Sequence, residues 1–343
     1  MEKGTKDAKD LELNAISGLI DTYLRWKNAQ NPPRGFKKYH PSAAGNCLRL
    51  MQYQRFAEEG IMGLEAEAKE LKAITVRLFD TGHTMHHRWA AYWEEIGILR
   101  GVWTCSNKAC FMIDDEGKVK DVNIFDVIKK NKTRKYGNKD LRGILKPKVC
   151  ICGCKEFDYH EVAVESEELN IYGHADLVLD FSRLDASKFD SIKRKFKLEN
   201  LPTGIIVGDM KTIKDERFKE LKETPSLAYK VQLCVYTNIL DCDFGLLIYE
   251  NKNDSDIKTY RIDKSVDGDW KQIKEQMIKL NSMAEIVDDK GNKKHYLPPP
   301  RPYNKESYEC RYCDFNKVCT NSSIWNSPKL PELRRKFYGD LLE

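Results

Sequence analysis

Two short apolar stretches near the middle of the chain each carry one carboxylate, and the second also carries a lysine. The first reads Tyr172-Gly173-His174-Ala175-Asp176-Leu177-Val178-Leu179-Asp180, the second Gly204-Ile205-Ile206-Val207-Gly208-Asp209-Met210-Lys211-Thr212. On a strand, residues i and i+2 share a face, so Asp209 and Lys211 point one way and the Met210 side chain the other. If Asp176 sits at the same level on a neighbouring strand, two carboxylates face one ammonium. Such a set suits a divalent cation and an attacking water, the equipment of phosphodiester hydrolysis. Asp180, at the end of its stretch, fits a turn instead.

Other groups could complete this pocket. Gly82-His83-Thr84-Met85-His86 lies on a helical stretch, where a histidine is by default a surface or packing residue. Gln232 and Tyr236, four apart, share one face of a later helix. Glu165, one strand upstream of Asp176, is a weaker candidate for a supporting role. Taken singly, Asp-x-Lys and Gln-x-x-x-Tyr are weak motifs, and their order along the chain carries more than any one of them.

That order is Gly-x-x-x-His, Gly-x-x-Asp, Asp-x-Lys, Gln-x-x-x-Tyr. With it the chain resembles the RecB-like branch of the PD-(D/E)xK nuclease superfamily, over about residues 40–320 and by motifs rather than continuous identity. The resemblance implies an α/β fold, with a restriction-endonuclease-like core built on a mixed central sheet flanked by helices. It implies that His86, Asp176, Asp209 and the main-chain carbonyl of Met210 hold Mg2+ or Mn2+, a ligand set that suits either ion. Lys211 would then position the attacking water or offset developing charge, and Gln232 and Tyr236 would face the site and the substrate strand.

Eleven cysteines, in a chain that opens without an apolar signal region, point to metal sites before disulfides. Cys310, Cys313 and Cys319 form Cys-x2-Cys-x5-Cys, one thiolate short of the four that zinc or an iron–sulfur cluster takes. In iron–sulfur members of the branch resembled, such as AddB-type helicase–nucleases and CRISPR-associated exonucleases, one cysteine precedes the nuclease core and three follow it with this spacing. Cys47 stands at the matching place, in Ser42-x4-Cys47-x-Arg49. The resemblance therefore implies a 4Fe-4S cluster on Cys47, Cys310, Cys313 and Cys319, stapling segments more than 260 residues apart; zinc on the same thiolates is the alternative.

A second group pairs Cys105 and Cys110 with Cys150, Cys152 and Cys154 across 39 residues, 111–149. It reads as a zinc ribbon holding Zn2+ through Cys105, Cys110 and two of the other three, and the sequence leaves open which one is spare. Its Lys-rich loop either grips nucleic acid or only stabilises the insert. Cys234 and Cys242 read as buried core thiols.

The elements that must position these groups follow from periodicity. Leu13, Ile16, Ile20, Tyr23 and Leu24 predict an amphipathic helix over 11–30, a second helix opens at 41–49, and a third covers 64–97 with a break at Asp80-Thr81-Gly82. Strand alternation runs from Phe157 through Val162, Val164 and Leu169 into the Asp176 stretch. After Thr212 a helix is expected to about Leu240, with Pro225-Ser226 as a start, then strands at 244–250 and 257–262. A helix marked by Trp270, Ile273, Met277 and Leu280, a linker at Pro298-Pro299-Pro300 and Pro302, and a charged C-terminal helix follow. The expected organisation is a helical part over 1–100, a zinc-ribbon-like insertion over 101–156, core sheet and helices over 157–297, and an iron–sulfur segment over 298–343.

The 343 residues are 41% hydrophobic and 32% charged, with a net charge of +5. Lysine-rich tracts at 118–148 and 188–197 would attract phosphate backbones, or are solvated loop faces. No run of about 18 apolar residues exists, so no membrane span and a cytoplasmic protein are expected. The reading that results is a metal-dependent DNA nuclease, acting as an exonuclease on single-stranded ends in repair, recombination or phage-type DNA processing, with a helicase or recombination partner. Trp103 and Tyr136 beside basic stretches could stack bases. A non-catalytic nucleic-acid-binding or assembly protein on the same scaffold is one alternative, against which the intact Asp176, Asp209 and Lys211 argue. A sequence- or structure-specific endonuclease, which would call for a recognition domain, is the other.

Overall fold

A computed structural model describes residues 3–30, 37–45, 47–58, 72–108, 110, 134–185, 187, 201–221, 223–264, 270–284, 302–304 and 306–320. Most of the first lysine-rich tract, the whole of the second, the proline run at 298–300 and the expected C-terminal helix lie outside them.

The chain is α/β, with a mixed central sheet. Its strands are β1 (Leu99–Cys105), β2 (Lys135–Tyr136), β3 (Ile144–Leu145), β4 (Phe157–His160), β7 (Leu177–Asp180), β8 (Ile205–Ile213), β9 (Phe244–Asn251) and β10 (Ile257–Asp263). They run in the order β10-β9-β8-β7-β1-β2, with β3 and β4 also paired to β1. A separate hairpin is formed by β5 (Val162–Ser166) and β6 (Ile171–Ala175). β8 lies antiparallel to β7 and parallel to β9. All four residues of β7 are buried, as its continuous apolar run demands of a strand covered on both faces.

Helices cover the two faces. α1 (Lys3–Gln30) and α2 (Leu48–Glu58) precede α3 (Ala73–Ile96), whose Ala90 packs with Ile206, Met210 and Ile248 on one face. After the short α4 (Asp215–Lys219), α5 (Leu227–Ile239) packs Leu233 and Tyr236 against Val207, Val178 and Leu247 on the other. The alternation of β8 is thus real: Ile206 and Met210 serve one core, Val207 the other. α6 (Trp270–Ala284) closes a third cluster with α2 and α5 through Ile273, Met277 and Leu280. α7 (Tyr308–Arg311) carries Cys310 and α8 (Asn316–Thr320) carries Cys319, with Cys313 between them.

Several expectations change. Tyr172–Asp180 is two strands, broken at Asp176, and the halves belong to different sheets. α3 continues through Asp80-Thr81-Gly82 without a break, Thr81 and Thr84 returning their hydroxyls to the carbonyls of Arg77 and Asp80. Of the α1 stripe, Leu24 is buried while Ile20 and Tyr23 are exposed; the Leu13 and Ile16 side chains are outside the description. The segment after Thr212 stays a strand to Ile213 and forms two helices rather than one, with Ser226 at the N-cap position of the second but making no side-chain capping bond. β1 runs across residue 101, so the cysteine module grows out of a strand of the main sheet. Among the described residues no helix is long and apolar enough to cross a membrane.

Candidate functional site

Three carboxylates stand in a row where two ladders meet. In the β7–β8 ladder Leu177 pairs with Gly208, and one step further Asp176 lies across from Asp209. In the β5–β6 hairpin Val162 pairs with Ala175, and one step further Glu161 lies across from Asp176. Asp176 is therefore the hinge of the row, at the bend where the chain leaves the hairpin and joins the main sheet. Its Oδ2 accepts the Met210 backbone N–H at 3.0 Å, and its carbonyl accepts the Tyr159 hydroxyl at 3.2 Å.

The predicted neighbours gather around this row. His86 on α3 brings Nδ1 to 3.7 Å from Asp176 Oδ2. Ligand atoms of His86, Glu161 and Asp176 all lie within 4.8 Å of one another. Lys211 Nζ sits 2.9 and 2.8 Å from the two oxygens of Asp209. The Gln232 amide donates to Asp209 Oδ1 at 2.8 Å and to the Tyr236 hydroxyl at 3.0 Å. Gln232 and Tyr236 are both buried, so they act on the site chiefly by orienting Asp209 from behind, although both also line the cleft in front. The Met210 side chain is buried in the opposite core, leaving its backbone at the site. Glu165 does not join the row: it lies on the hairpin, ion-paired to Lys38 at 2.5 Å.

α3 owes its position to a buried clamp. Glu250 on β9, 2% exposed, takes Arg88 Nη2 at 2.5 and 2.6 Å and the Trp89 indole N–H at 2.6 Å. His86 lies half a turn earlier on the same helix.

The electrostatics are those of three carboxylates facing one ammonium. Burial pushes the Asp209 carboxyl up to about 7, Asp176 adds to the rise, and Lys211 and Gln232 oppose it. Glu161 is likewise pushed up to about 7, first by burial and then by Asp176 and Asp209. Burial would lower Lys211, but Asp209 and Asp176 outweigh it and hold the ammonium charged. Asp209 Oδ2 is buried in ion-pair contact and accepts no hydrogen bond. A divalent cation would answer the crowding of the three carboxylates, so the residues fit one.

A recess of about 330 Å3 opens at the row, and five of the seven histidines in the chain line it: His83, His86, His87, His160 and His174. Glu161 is the site residue that periodicity missed, because it falls between β4 and β5 and belongs to neither alternation. Counting back from the 167–170 turn along the hairpin would have found it opposite Asp176.

The first cysteine module closes on four thiols. Sulfurs of Cys105, Cys110, Cys150 and Cys152 lie within 4.8 Å of one another, with Cys110–Cys150 at 3.2 Å and Cys105–Cys152 at 3.7 Å. These four could hold a metal or an iron–sulfur group. Cys154 is the spare, its thiol directed to the Glu156 carbonyl at 3.4 Å. Gly153, at φ +81°, makes the tight knuckle turn, donating its N–H to the Cys150 carbonyl at 2.8 Å. Burial disfavours a thiolate at Cys150, yet the Cys152 N–H, the Tyr136 hydroxyl and the neighbouring thiols outweigh it and hold Cys150 down at about 6. Tyr136 spends its hydroxyl on Cys150 at 3.1 Å, and Trp103 is wholly buried with its N–H on the Ile144 carbonyl at 2.9 Å. Trp103 therefore cannot stack bases: the core and the cysteine module claim both aromatics.

Cys47, Cys310, Cys313 and Cys319 line one cavity of about 60 Å3, beside Tyr53 and Tyr303. Cys47 sits at the start of α2, where the Arg49 and Leu50 N–H groups meet its sulfur, but burial dominates and pushes the thiol up to about 12. Among the described residues this set is not one whose sulfurs close to single-ion distance. Cys234 and Cys242 are buried, as expected of core thiols.

No family model matches the chain, and no curated protein matches it in sequence. A solved structure described as the crystal structure of SSO0001 aligns with a TM-score of 0.38 and 14% identity, covering 89% of this chain and 96% of that one.

Proposed function

We propose that the chain is a divalent-metal-dependent nuclease of PD-(D/E)xK type, acting on DNA with single-stranded ends. The observation that carries the reading is the row Glu161–Asp176–Asp209, with His86 beside Asp176 and Lys211 beside Asp209. Asp176, Asp209, Glu161 and His86, with the Met210 carbonyl, would hold Mg2+ or Mn2+. When bound, the ion supplies charge stabilisation at the phosphate and a more acidic water. Lys211, fixed by Asp209, stands where it can orient an attacking water and offset charge on the phosphoryl oxygens. Gln232, held by Tyr236, keeps Asp209 in one rotamer, so the site is ordered before substrate arrives.

The two cysteine sets read differently. Zn–S bonds of about 2.3 Å in a tetrahedron put sulfurs about 3.8 Å apart, close to the 3.2 and 3.7 Å separations at Cys105, Cys110, Cys150 and Cys152, which we assign to Zn2+. Cys47, Cys310, Cys313 and Cys319, gathered around one cavity, would hold a 4Fe-4S cluster, which takes four thiolates.

The test is digestion of single- and double-stranded DNA, labelled at either terminus, by anaerobically purified protein with Mn2+. Progressive loss of label from single-stranded ends is expected, and Asp209→Ala or Lys211→Ala should slow it at least about a hundredfold. Intact DNA, or variants as fast as the parent, overturns the reading; binding without cleavage would favour a nucleic-acid-binding role.

A further inference from the structure

The carboxylate row stands at a junction of recesses. Besides the histidine-lined one, a recess of about 710 Å3 reaches Glu161 and His174 from the side of the cysteine module. Another, of about 840 Å3, leaves Glu161 and Asp176 toward Lys37 and Lys38. The site thus lies part-way along an open groove.

The cysteine module supplies one bank of that groove. Lys135 on β2, and Asn138 and Lys139 in the turn after it, line the recess, all exposed. The turn is held flat on β1. Gly137 and Gly143 have φ of +81° and +63°, and a Cβ on either would come within 2.8 or 2.7 Å of the Gly101 carbonyl oxygen. Arg100 donates to the Gly143 carbonyl at 2.6 Å and to buried Asp180 at 3.0 Å, tying the turn to the main sheet.

The acidic groups along this bank leave the lysines unmatched. Asp140 lies 3.7 Å from Arg100 and accepts the Arg142 backbone N–H at 3.0 Å. Glu165 and Glu167 are both paired with Lys38 at 2.5 Å. Glu161 belongs to the carboxylate row. Among the described residues Lys135 and Lys139 have no such partner, and two ammonium groups carried by a backbone fixed to the main sheet, at the rim of a groove, suit an anion.

We propose that Lys135 and Lys139 grip the phosphate backbone of a single strand that passes through the groove, on the cysteine-module side of the scissile phosphate. The inference rests on the nuclease reading for what happens at the carboxylate row, but its strand-binding claim can be measured without cleavage. The module then acts as a substrate-holding arm as well as a stabiliser of its own insert.

The probe is a fluorescently labelled single-stranded oligonucleotide, titrated without divalent ions into parent protein, Lys135→Glu/Lys139→Glu and the milder Lys135→Gln/Lys139→Gln. Lys252→Glu/Lys271→Glu, exposed and away from the groove, controls for net charge. Affinity should fall on the order of tenfold in the glutamate variant, less in the glutamine variant. The slope of log affinity against log salt should flatten by about 1.4, or 0.7 for each phosphate that a lysine no longer neutralises. In cleavage assays KM should rise with kcat kept. Parental affinity and slope in both groove variants, or an equal loss in the control, overturns the proposal. If the parent fails to cleave yet the binding difference persists, the nuclease reading falls and the strand-binding site stands.

Discussion

Glu250 offers the sharpest test of how the site is assembled, because it touches none of the reacting groups. Its two oxygens hold Arg88 and Trp89, and so clamp α3 to β9. Glu250→Ala leaves the Trp89 N–H without an acceptor, which costs about 1–3 kcal/mol, and removes an ion pair. A fully buried pair would cost about 3–5 kcal/mol to break. The Arg88 side chain, however, is 38% exposed and can turn to water, so its share is on the order of 1 kcal/mol. The sum is about 3 kcal/mol for alanine. Glutamine keeps an acceptor for Trp89 and loses only the charge, at about 1 kcal/mol.

The consequence for the site is indirect and measurable. His86 is on the helix that the clamp holds, so loosening α3 should weaken Mn2+ binding more than it changes the Asp209–Lys211 pair. Urea melts of parent, Glu250→Gln and Glu250→Ala, together with Mn2+ titrations on each, form the assay. Stability and Mn2+ affinity should fall together in the order parent, glutamine, alanine. An alanine variant within about 0.5 kcal/mol of the parent, or destabilised but with parental Mn2+ affinity, would refute the claim that this clamp places His86.

Glu161 and Asp209 hold their protons up to about pH 7 in the fold, against about 4 in an unfolded chain. Between those values the folded state binds more protons, so without divalent ions these groups make stability fall as pH rises from about 4 to 7 and level off above. Glu161→Gln should therefore raise the melting temperature at pH 8 relative to the parent, with no such gain at pH 5, and Mg2+ should stabilise the parent more than the variant; a pH-independent difference would count against the carboxylate row. Cys154→Ser should keep its full zinc content while Cys150→Ser loses it, as metal analysis of purified protein will show. Cys313→Ser should remove the brown colour and the iron, about four per chain, yet leave zinc in place; loss of both metals would mean that the two cysteine sites fold as one.

Asp209 and Lys211 were legible because β8 is central and covered on both faces, so that its alternation is enforced by two cores. The same rule misread Tyr172–Asp180, since a buried strand's apolar run looks continuous even where the chain changes sheet at Asp176. Glu161 was invisible for a related reason: pairing across a turn is a matter of register, and periodicity within one strand carries none of it. Gln232 and Tyr236 were found as a helical pair, but only coordinates reveal that the amide turns to Asp209. The grouping of Cys47 with the three late cysteines came from a resemblance in order and spacing, whereas the spare role of Cys154 depends on the turn at Gly153, which five closely spaced thiols do not reveal.

The cysteine module reaches the carboxylate row through the strands paired with β1, and that link can be tested. Cys105 is the last residue of β1. β1 pairs with β4, Cys105 opposite Phe157 and Val102 opposite His160, and Glu161 follows His160 directly. At its other end β1 pairs Leu99 with Leu179 on β7, three residues beyond Asp176. Loss of the metal proposed for Cys105 should therefore loosen β4 first and displace Glu161, while β7 and β8, buried on both faces, hold Asp176 and Asp209. Cys105→Ser should weaken Mn2+ binding by about as much as Glu161→Gln does, and the two changes together should cost little more than either, since they act through one ligand. Additive losses in the double variant would mean that the module does not reach the site through β4.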